Sequence, residues 1–225
     1  MKQFKMITFD AYSALLKLED SMVPIVERVI NREDVDSLAF FRMWRTRQWD
    51  YVLLGSNLEK GYHSYEYLTR ATLLYTMKKF NVTLTQEEQD EMVDGWSHMK
   101  AWPEAKEVLD EIQRRGYKIA ILSNGDEKML RPLIESTGIQ FDEVFGAEHA
   151  KAYKPNPAIY ALPFERCGYK NEEVLHVAGS TFDLMGAKSA GIFCAWSNRY
   201  DDFPIDEKYT PDYNFKDLRG LLEIL

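Results

Sequence analysis

The sequence predicts an α/β protein, a Rossmann-like parallel-sheet core with an inserted helical cap subdomain. Three observations lead there. Short apolar runs alternate with amphipathic helical patterns through the second half of the chain. One further apolar run, MITF, stands near the start, roughly a hundred residues before its expected sheet neighbours. The stretch between them has helical periodicity and no convincing strand. Repeated strand–helix alternation argues for a parallel sheet covered on both faces. The expected division is a core of residues 1–16 and 100–225 with a cap of residues 17–99.

The elements follow in order. Phe4, Met6, Ile7, Thr8 and Phe9 read as a short buried strand ending at Asp10. Cap helices are expected from Ser21 to Asn31, Asp36 to Leu54, Ser64 to Phe80 and Gln86 to Met99. A helix from Pro103 to Arg115 ends at Gly116, and YKIAILSNG reads as a buried strand. A helix from Glu127 to Thr137 precedes a short strand around Val144. The next helix begins at Asn156, with Pro157 at a tolerated early position and a distortion expected at Pro163. VLHVAGS is a strand, DLMGAKSAG a helix and IFCAWSN a strand. DYNF and a terminal helix over KDLRGLLEIL close the chain.

Bulk properties exclude several classes of function. The 225 residues suffice for one core plus a smaller inserted domain. With 36 acidic and 28 basic residues the net charge is -8, which argues against a nucleic-acid partner. No apolar run approaches a membrane span, and MKQFKM lacks the apolar stretch of a signal peptide, so a cytoplasmic protein with no membrane partner is expected. Cys167 and Cys194 form no metal-ligand spacing or disulfide framework, and His63, His98, His149 and His176 are scattered. No metal and no cofactor are expected.

The chemistry-bearing residues fall just after the apolar strands, where open α/β sheets place their sites. They are Asp10 after MITF, Ser123 and Asn124 after IAIL, Lys154 in AYKPNP, and Ser180 with Asp183 after LHVAG. A lysine between two carboxylates is a charge-balanced set that favours their ionised forms. Plainer readings exist for each. Asp10 and Asp183 are also capping acids, Ser123 and Asn124 strand-to-helix caps, and Lys154 a loop lysine. A cleft between core and cap is where a small-molecule substrate is expected.

The motifs FDAYSALL from Phe9, ILSNG from Ile121, YKPNPAIY from Tyr153 and STFDLMGAKSAG from Ser180 resemble those of the haloacid dehalogenase superfamily. Within it the chain resembles the (S)-2-haloacid dehalogenases, whose cap helix WRxxQxxY is matched by WRTRQWDY from Trp44. The resemblance implies hydrolytic dehalogenation of short-chain 2-haloacids, without a metal, through an ester on Asp10. Phosphatases of the superfamily carry a second acid two residues after the nucleophile to protonate an alcohol leaving group. A halide needs no proton, and this chain has Tyr12 there. They also place an acidic residue near the end of the fourth motif's strand, where this chain has Ala178 and Gly179.

By the same resemblance Arg45 receives the halide, with a solvated helix arginine as the plainer reading. Trp49, four residues on, walls an apolar pocket; Phe182 packs or lines it. Tyr160 hydrogen-bonds near Asp10 or is a core tyrosine, and the look-alikes suggest a homodimer through the cap helices. The chain departs from the dehalogenase pattern at Ser13-Ala14, usually Gly-Thr, and at Ala178-Gly179-Ser180, often Ser-Ser-Asn. Ser13 is expected to replace the first lost hydroxyl and Ser180 part of the second. Two alternatives remain open: a superfamily hydrolase or phosphatase on another substrate, and a catalytically weak binding protein of the same fold.

Overall fold

In the computed structural model, which describes residues 4–55, 58 and 61–225, six strands form one sheet in the order β3-β2-β1-β4-β5-β6. The strands are β1 (Met6–Phe9), β2 (Lys118–Ser123), β3 (Glu143–Gly146), β4 (Val174–Ala178), β5 (Phe193–Ser197) and β6 (Tyr213–Phe215). Every neighbouring pair is parallel. Strand β1 is buried along its whole length because it lies inside the sheet, between β2 and β4. Strand order reverses around β1, and this topological switch point is where such sheets open a crevice at their carboxyl ends. In register, Phe9 lies beside Ile121 and Val177, so Asp10 is the first residue past the sheet, anchored by its N–H to Val177 O at 3.0 Å.

Helices α1 (Leu18–Ile30), α2 (Ser37–Gly55), α3 (Tyr65–Lys79) and α4 (Gln86–Asp94) pack on one another between β1 and α5 (Ala105–Arg114). Each end has a local cause. Asn31 takes a left-handed conformation after α1, Ser64 caps α3, and Thr85 with Glu88 forms a capping box on α4. The chain enters and leaves this helical stretch through adjacent crossings. Lys17 N–H donates to Lys100 O at 2.8 Å and Trp102 N–H to Leu15 O at 2.9 Å. The remaining helices are α6 (Glu127–Thr137), α7 (Ala147–Ala150), α8 (Pro157–Cys167) and α9 (Thr181–Ser189). Among the described residues no helix is long and apolar enough to cross a membrane.

The structure corrects two expected helices and adds two features. The helix expected to reach Met99 stops at Asp94 and tightens into a 3₁₀ turn over Gly95–Ser97. There Gly95 lies so close to Ile25 and Met22 that an added Cβ would come within 2.8 Å of Ile25 Cδ1. The carboxyl-terminal segment is 3₁₀ over Leu218–Glu223 rather than an α-helix, with Gly220 pressed onto the Phe215 ring. Helix α8 runs on through Pro163 to Cys167. Between Asp10 and Leu16 the chain makes a π-helical turn, Ala11–Leu15, that apolar patterning did not indicate.

Candidate active site

The π-turn gives Asp10 two roles at once. Its Oδ2 caps the turn, accepting the Ser13 N–H at 2.7 Å and the Ser13 hydroxyl at 2.5 Å. Its Oδ1 accepts from Lys154 Nζ at 3.1 Å. Asp10 therefore caps the turn with one oxygen and meets Lys154 with the other. Lys154 reaches in from the loop before α8, where its backbone N–H donates to Asn124 Oδ1 at 2.7 Å. That bond ties the loop to the end of β2. The same ammonium donates to Asp183 Oδ2 at 2.9 Å.

Asp183, in the first turn of α9, accepts from three side chains. Tyr160 donates to Oδ1 at 2.7 Å, and Oδ2 takes both Lys154 and His176 Nε2, the latter also at 2.9 Å. Burial works against the Asp183 carboxylate, but Lys154 and His176 outweigh it and hold the group well below the usual carboxylate range. Burial likewise works against the Lys154 ammonium, and the two carboxylates outweigh it and hold its pKa above the ordinary lysine value. Asp10, Lys154 and Asp183 are 7%, 2% and 2% exposed, so these charges depend on one another rather than on water.

These groups face a cavity of about 10 Å³, roughly what one water molecule requires. It is lined by Asp10, Tyr12, Asn124, Lys154, Ser180 and Asp183 from the sheet side, and by Arg45, Trp49, Val52 and Tyr65 from α2 and α3. Arg45 donates to Tyr65 Oη at 2.8 Å and lies over the rings of Trp49 and Trp96 at 5.0 and 5.4 Å. It is thus held at the cavity rather than on a solvated face. Trp49 stacks against Phe182 with ring centroids 5.4 Å apart, which closes one wall. Tyr12 is buried, stacked on Tyr65 at 5.5 Å, and its hydroxyl has no hydrogen-bond partner among the described residues. Burial pushes that phenol well above its ordinary pKa, so it is a neutral donor.

The expected site residues do not all reach the cavity. Ser123 is enclosed in its turn, where its hydroxyl accepts the Gly125 N–H at 3.2 Å. Tyr160 is a buried core tyrosine that donates to Asp183, which shares Lys154 with Asp10. Phe182 backs Trp49 and remains 38% exposed. Ser180 caps α9 through its hydroxyl and also lines the cavity.

The sequence reading missed four residues. Tyr65 and Val52 had no motif to mark them. His176 was set aside as scattered, although a histidine inside the apolar run VLHVA was a signal. Asp126 was also missed: this residue, directly after the SNG turn, accepts from Tyr62 Oη at 2.6 Å and from Glu66 N at 3.0 Å. It therefore holds the start of α3 against the sheet side of the molecule.

A larger groove of about 870 Å³ lies elsewhere, lined by Glu66, Arg70, Asp90, Asp94 and Lys128 among others. Its charges pair internally, Arg70 with Asp90 at 2.7 Å and Lys128 with Glu66 at 2.9 Å, and none of the strand-end residues opens into it. Among the described residues Glu127, Glu148 and His149 are the one trio with metal-ligand spacing. Its atoms are already engaged: His149 Nδ1 accepts the Gly146 N–H, and Glu148 accepts the Glu127 N–H at 2.9 Å.

A parallel sheet with an aspartate, a lysine and a second aspartate at neighbouring strand ends, closed over by helices inserted after β1, defines a class of hydrolase. The family model for haloacid dehalogenase-like hydrolases matches residues 4–191, and the chain belongs to that family. It is 28% identical over 228 residues to haloacetate dehalogenase H-2 of Moraxella sp. (strain B), covering 100% of this chain and 99% of that one. It is 30% identical over 194 residues to an (S)-2-haloacid dehalogenase of Xanthobacter autotrophicus, covering 85% and 74%. Among solved structures it resembles an L-2-haloacid dehalogenase from Xanthobacter autotrophicus, with a TM-score of 0.89, 26% identity and coverage of 99% and 98%.

Proposed function

We propose that the protein hydrolyses short-chain 2-haloacids, without a metal, through an ester on Asp10, and that residues 17–99 form the cap over that site. The carrying observation is Tyr12. Two residues beyond Asp10, where a phosphatase needs an acid, stands a buried phenol with no hydrogen-bond partner among the described residues. The names of the relatives point to the same substrates.

The geometry suggests how the steps divide. Asp10 Oδ2 is saturated by Ser13, whereas Oδ1, with Lys154 its one donor among the described residues, keeps a lone pair for attack on the carbon bearing the halogen. A C–O bond forms as the carbon–halogen bond breaks, and the electron pair leaves on the halide. Arg45 and the Tyr12 hydroxyl are the donors available to that anion, and the Asn124 amide and the backbone of its turn suit the substrate carboxylate. In the ester, Oδ2 becomes the carbonyl oxygen. Ser13 N–H and Oγ–H then form an oxyanion hole for the attack of water on Cγ, with Ser180 placed to orient that water. Hydrolysis returns the Asp10 carboxylate, a 2-hydroxyacid and a proton.

Gly179 supports the metal-free reading. A Cβ there would lie 2.1 Å from Ser13 C, so no acidic ligand fits at the end of β4 while the π-turn is in place. The face of α2 and α3 exposing Leu54, Tyr67, Leu74 and Tyr75 suits a homodimer contact. The test is halide release from 2-chloro- and 2-bromopropionate with and without chelator. Release in both conditions supports the reading. Chelator-sensitive turnover of phosphate esters with no halide release would replace it.

A further inference from the structure

His176 is fully buried in the middle of β4, directly beneath the charged cluster. Its register neighbours are Thr8 on β1 and Cys194 on β5, and Tyr160 of α8 meets it edge-on with centroids 5.7 Å apart. Its Nε2 lies 2.9 Å from Asp183 Oδ2 and 3.5 Å from Lys154 Nζ, and its Nδ1 lies 2.9 Å from Thr8 Oγ1. A carboxylate only accepts, so the proton of a neutral imidazole sits on Nε2. Nδ1 is then the acceptor, and the Thr8 hydroxyl donates to it. The Asp183 carboxylate thereby fixes the tautomer, and Thr8 holds the ring plane.

The consequence reaches Lys154. Its ammonium is shared, 3.1 Å from Asp10 Oδ1 and 2.9 Å from Asp183 Oδ2. Oδ2 is itself shared between that ammonium and the imidazole N–H. Without the imidazole the whole negative charge of Oδ2 would act on Lys154 and draw it off Asp10. We propose that His176, held by Thr8, is a positioning residue: it occupies Asp183 Oδ2 so that Lys154 stays on the Asp10 oxygen that attacks. The proposal rests on the dehalogenase reading for its kinetic arm only.

The test compares His176→Phe, which keeps the ring and loses the donor, with His176→Gln, whose amide nitrogen reaches where Nε2 stands. On 2-bromopropionate, His176→Phe should lower kcat at least about tenfold, the scale of one charge-assisted hydrogen bond, with KM within about threefold. His176→Gln should recover most of that loss. Equal losses in the two variants, or a kcat for His176→Phe within about twofold of the parent, overturn the proposal. Thr8→Val keeps the imidazole and removes the hydroxyl that holds its plane. It should give a smaller kcat loss than His176→Phe, and nitrogen NMR of the parent imidazole should show Nε2–H; a parent protonated only on Nδ1 overturns the proposal. A crystal structure of His176→Phe supplies an arm independent of turnover. Lengthening of the Lys154–Asp10 distance supports the proposal and an unchanged distance overturns it. A parent protein that releases no halide overturns the dehalogenase reading instead.

Discussion

Ser13 donates both its backbone N–H and its hydroxyl to a single oxygen of Asp10, at 2.7 and 2.5 Å. The family pattern has a threonine one residue later, where this chain has Ala14. The π-turn brings the neighbouring hydroxyl onto the same carboxylate. If Oδ2 becomes the ester carbonyl, Ser13→Ala removes one oxyanion donor from the second half of the reaction and leaves the first half nearly intact. Ester hydrolysis should slow by roughly a hundredfold, the usual effect of losing such a donor. Rapid-quench mass spectrometry should then find the Asp10 ester accumulating. A variant that slows halide release without accumulating ester would assign Ser13 to the first step.

Gly179 is tested by stability rather than by rate. Since its Cβ would meet the Ser13 backbone, and backbone in a packed turn yields little, Gly179→Ala should cost at least about 2 kcal/mol in urea unfolding. A cost below about 0.5 kcal/mol would show that the turn relaxes, and the steric case against a ligand at that position would fall with it.

Arg45 is locked between Tyr65 and two indole rings, a planar arrangement that an ammonium cannot copy. Arg45→Lys should therefore lower kcat by the equivalent of about 2 kcal/mol or more. The loss should be greater for 2-chloropropionate than for 2-bromopropionate, because the poorer leaving group needs more assistance. Equal small losses in single-turnover rates would remove Arg45 from the halide site.

The sheet site was legible because its residues obey a local rule: Asp10, Asn124, Lys154 and Asp183 each follow a strand or the turn beyond it. The roof was legible in part, through WRTRQWDY alone. Tyr65 and Val52 sit on helices whose polar and apolar residues follow core packing, and only the folded approach of α2 and α3 to the strand ends brings them to Asp10. For His176 the local signal is its place inside the apolar run VLHVA, while its partners Thr8, Lys154 and Asp183 lie on three other segments. Ser123 is ambiguous in sequence because the same residue type serves as ligand donor and as turn cap. The tight ends at Gly95 and Gly220 are set by distant side chains, which helical periodicity does not register.

Acid stability follows from Asp183. Its folded-state pKa lies below the unfolded value, so its contribution is fully present above the unfolded value and is lost as pH falls through the folded one. Lys154 acts in the opposite sense. Its pKa is raised, so its contribution is present below the ordinary lysine value and fades only in strong alkali. Neither group titrates near neutrality. Unfolding free energy from these two groups should be flat between about pH 5 and 9 and should decline below about pH 4. Asp183→Asn should flatten the acid limb while lowering the plateau. An unaltered acid limb in that variant would place the acid sensitivity elsewhere.

The central claim, an ester on Asp10, is tested most directly by a single turnover in ¹⁸O-labelled water with enzyme in excess over 2-bromopropionate. Water is expected to attack Cγ of the ester, so the label should appear in the peptide containing Asp10 and the first product should carry unlabelled hydroxyl oxygen. Label in the product hydroxyl from that first turnover, with Asp10 unlabelled, would mean that water attacks the halogenated carbon directly and would contradict the account.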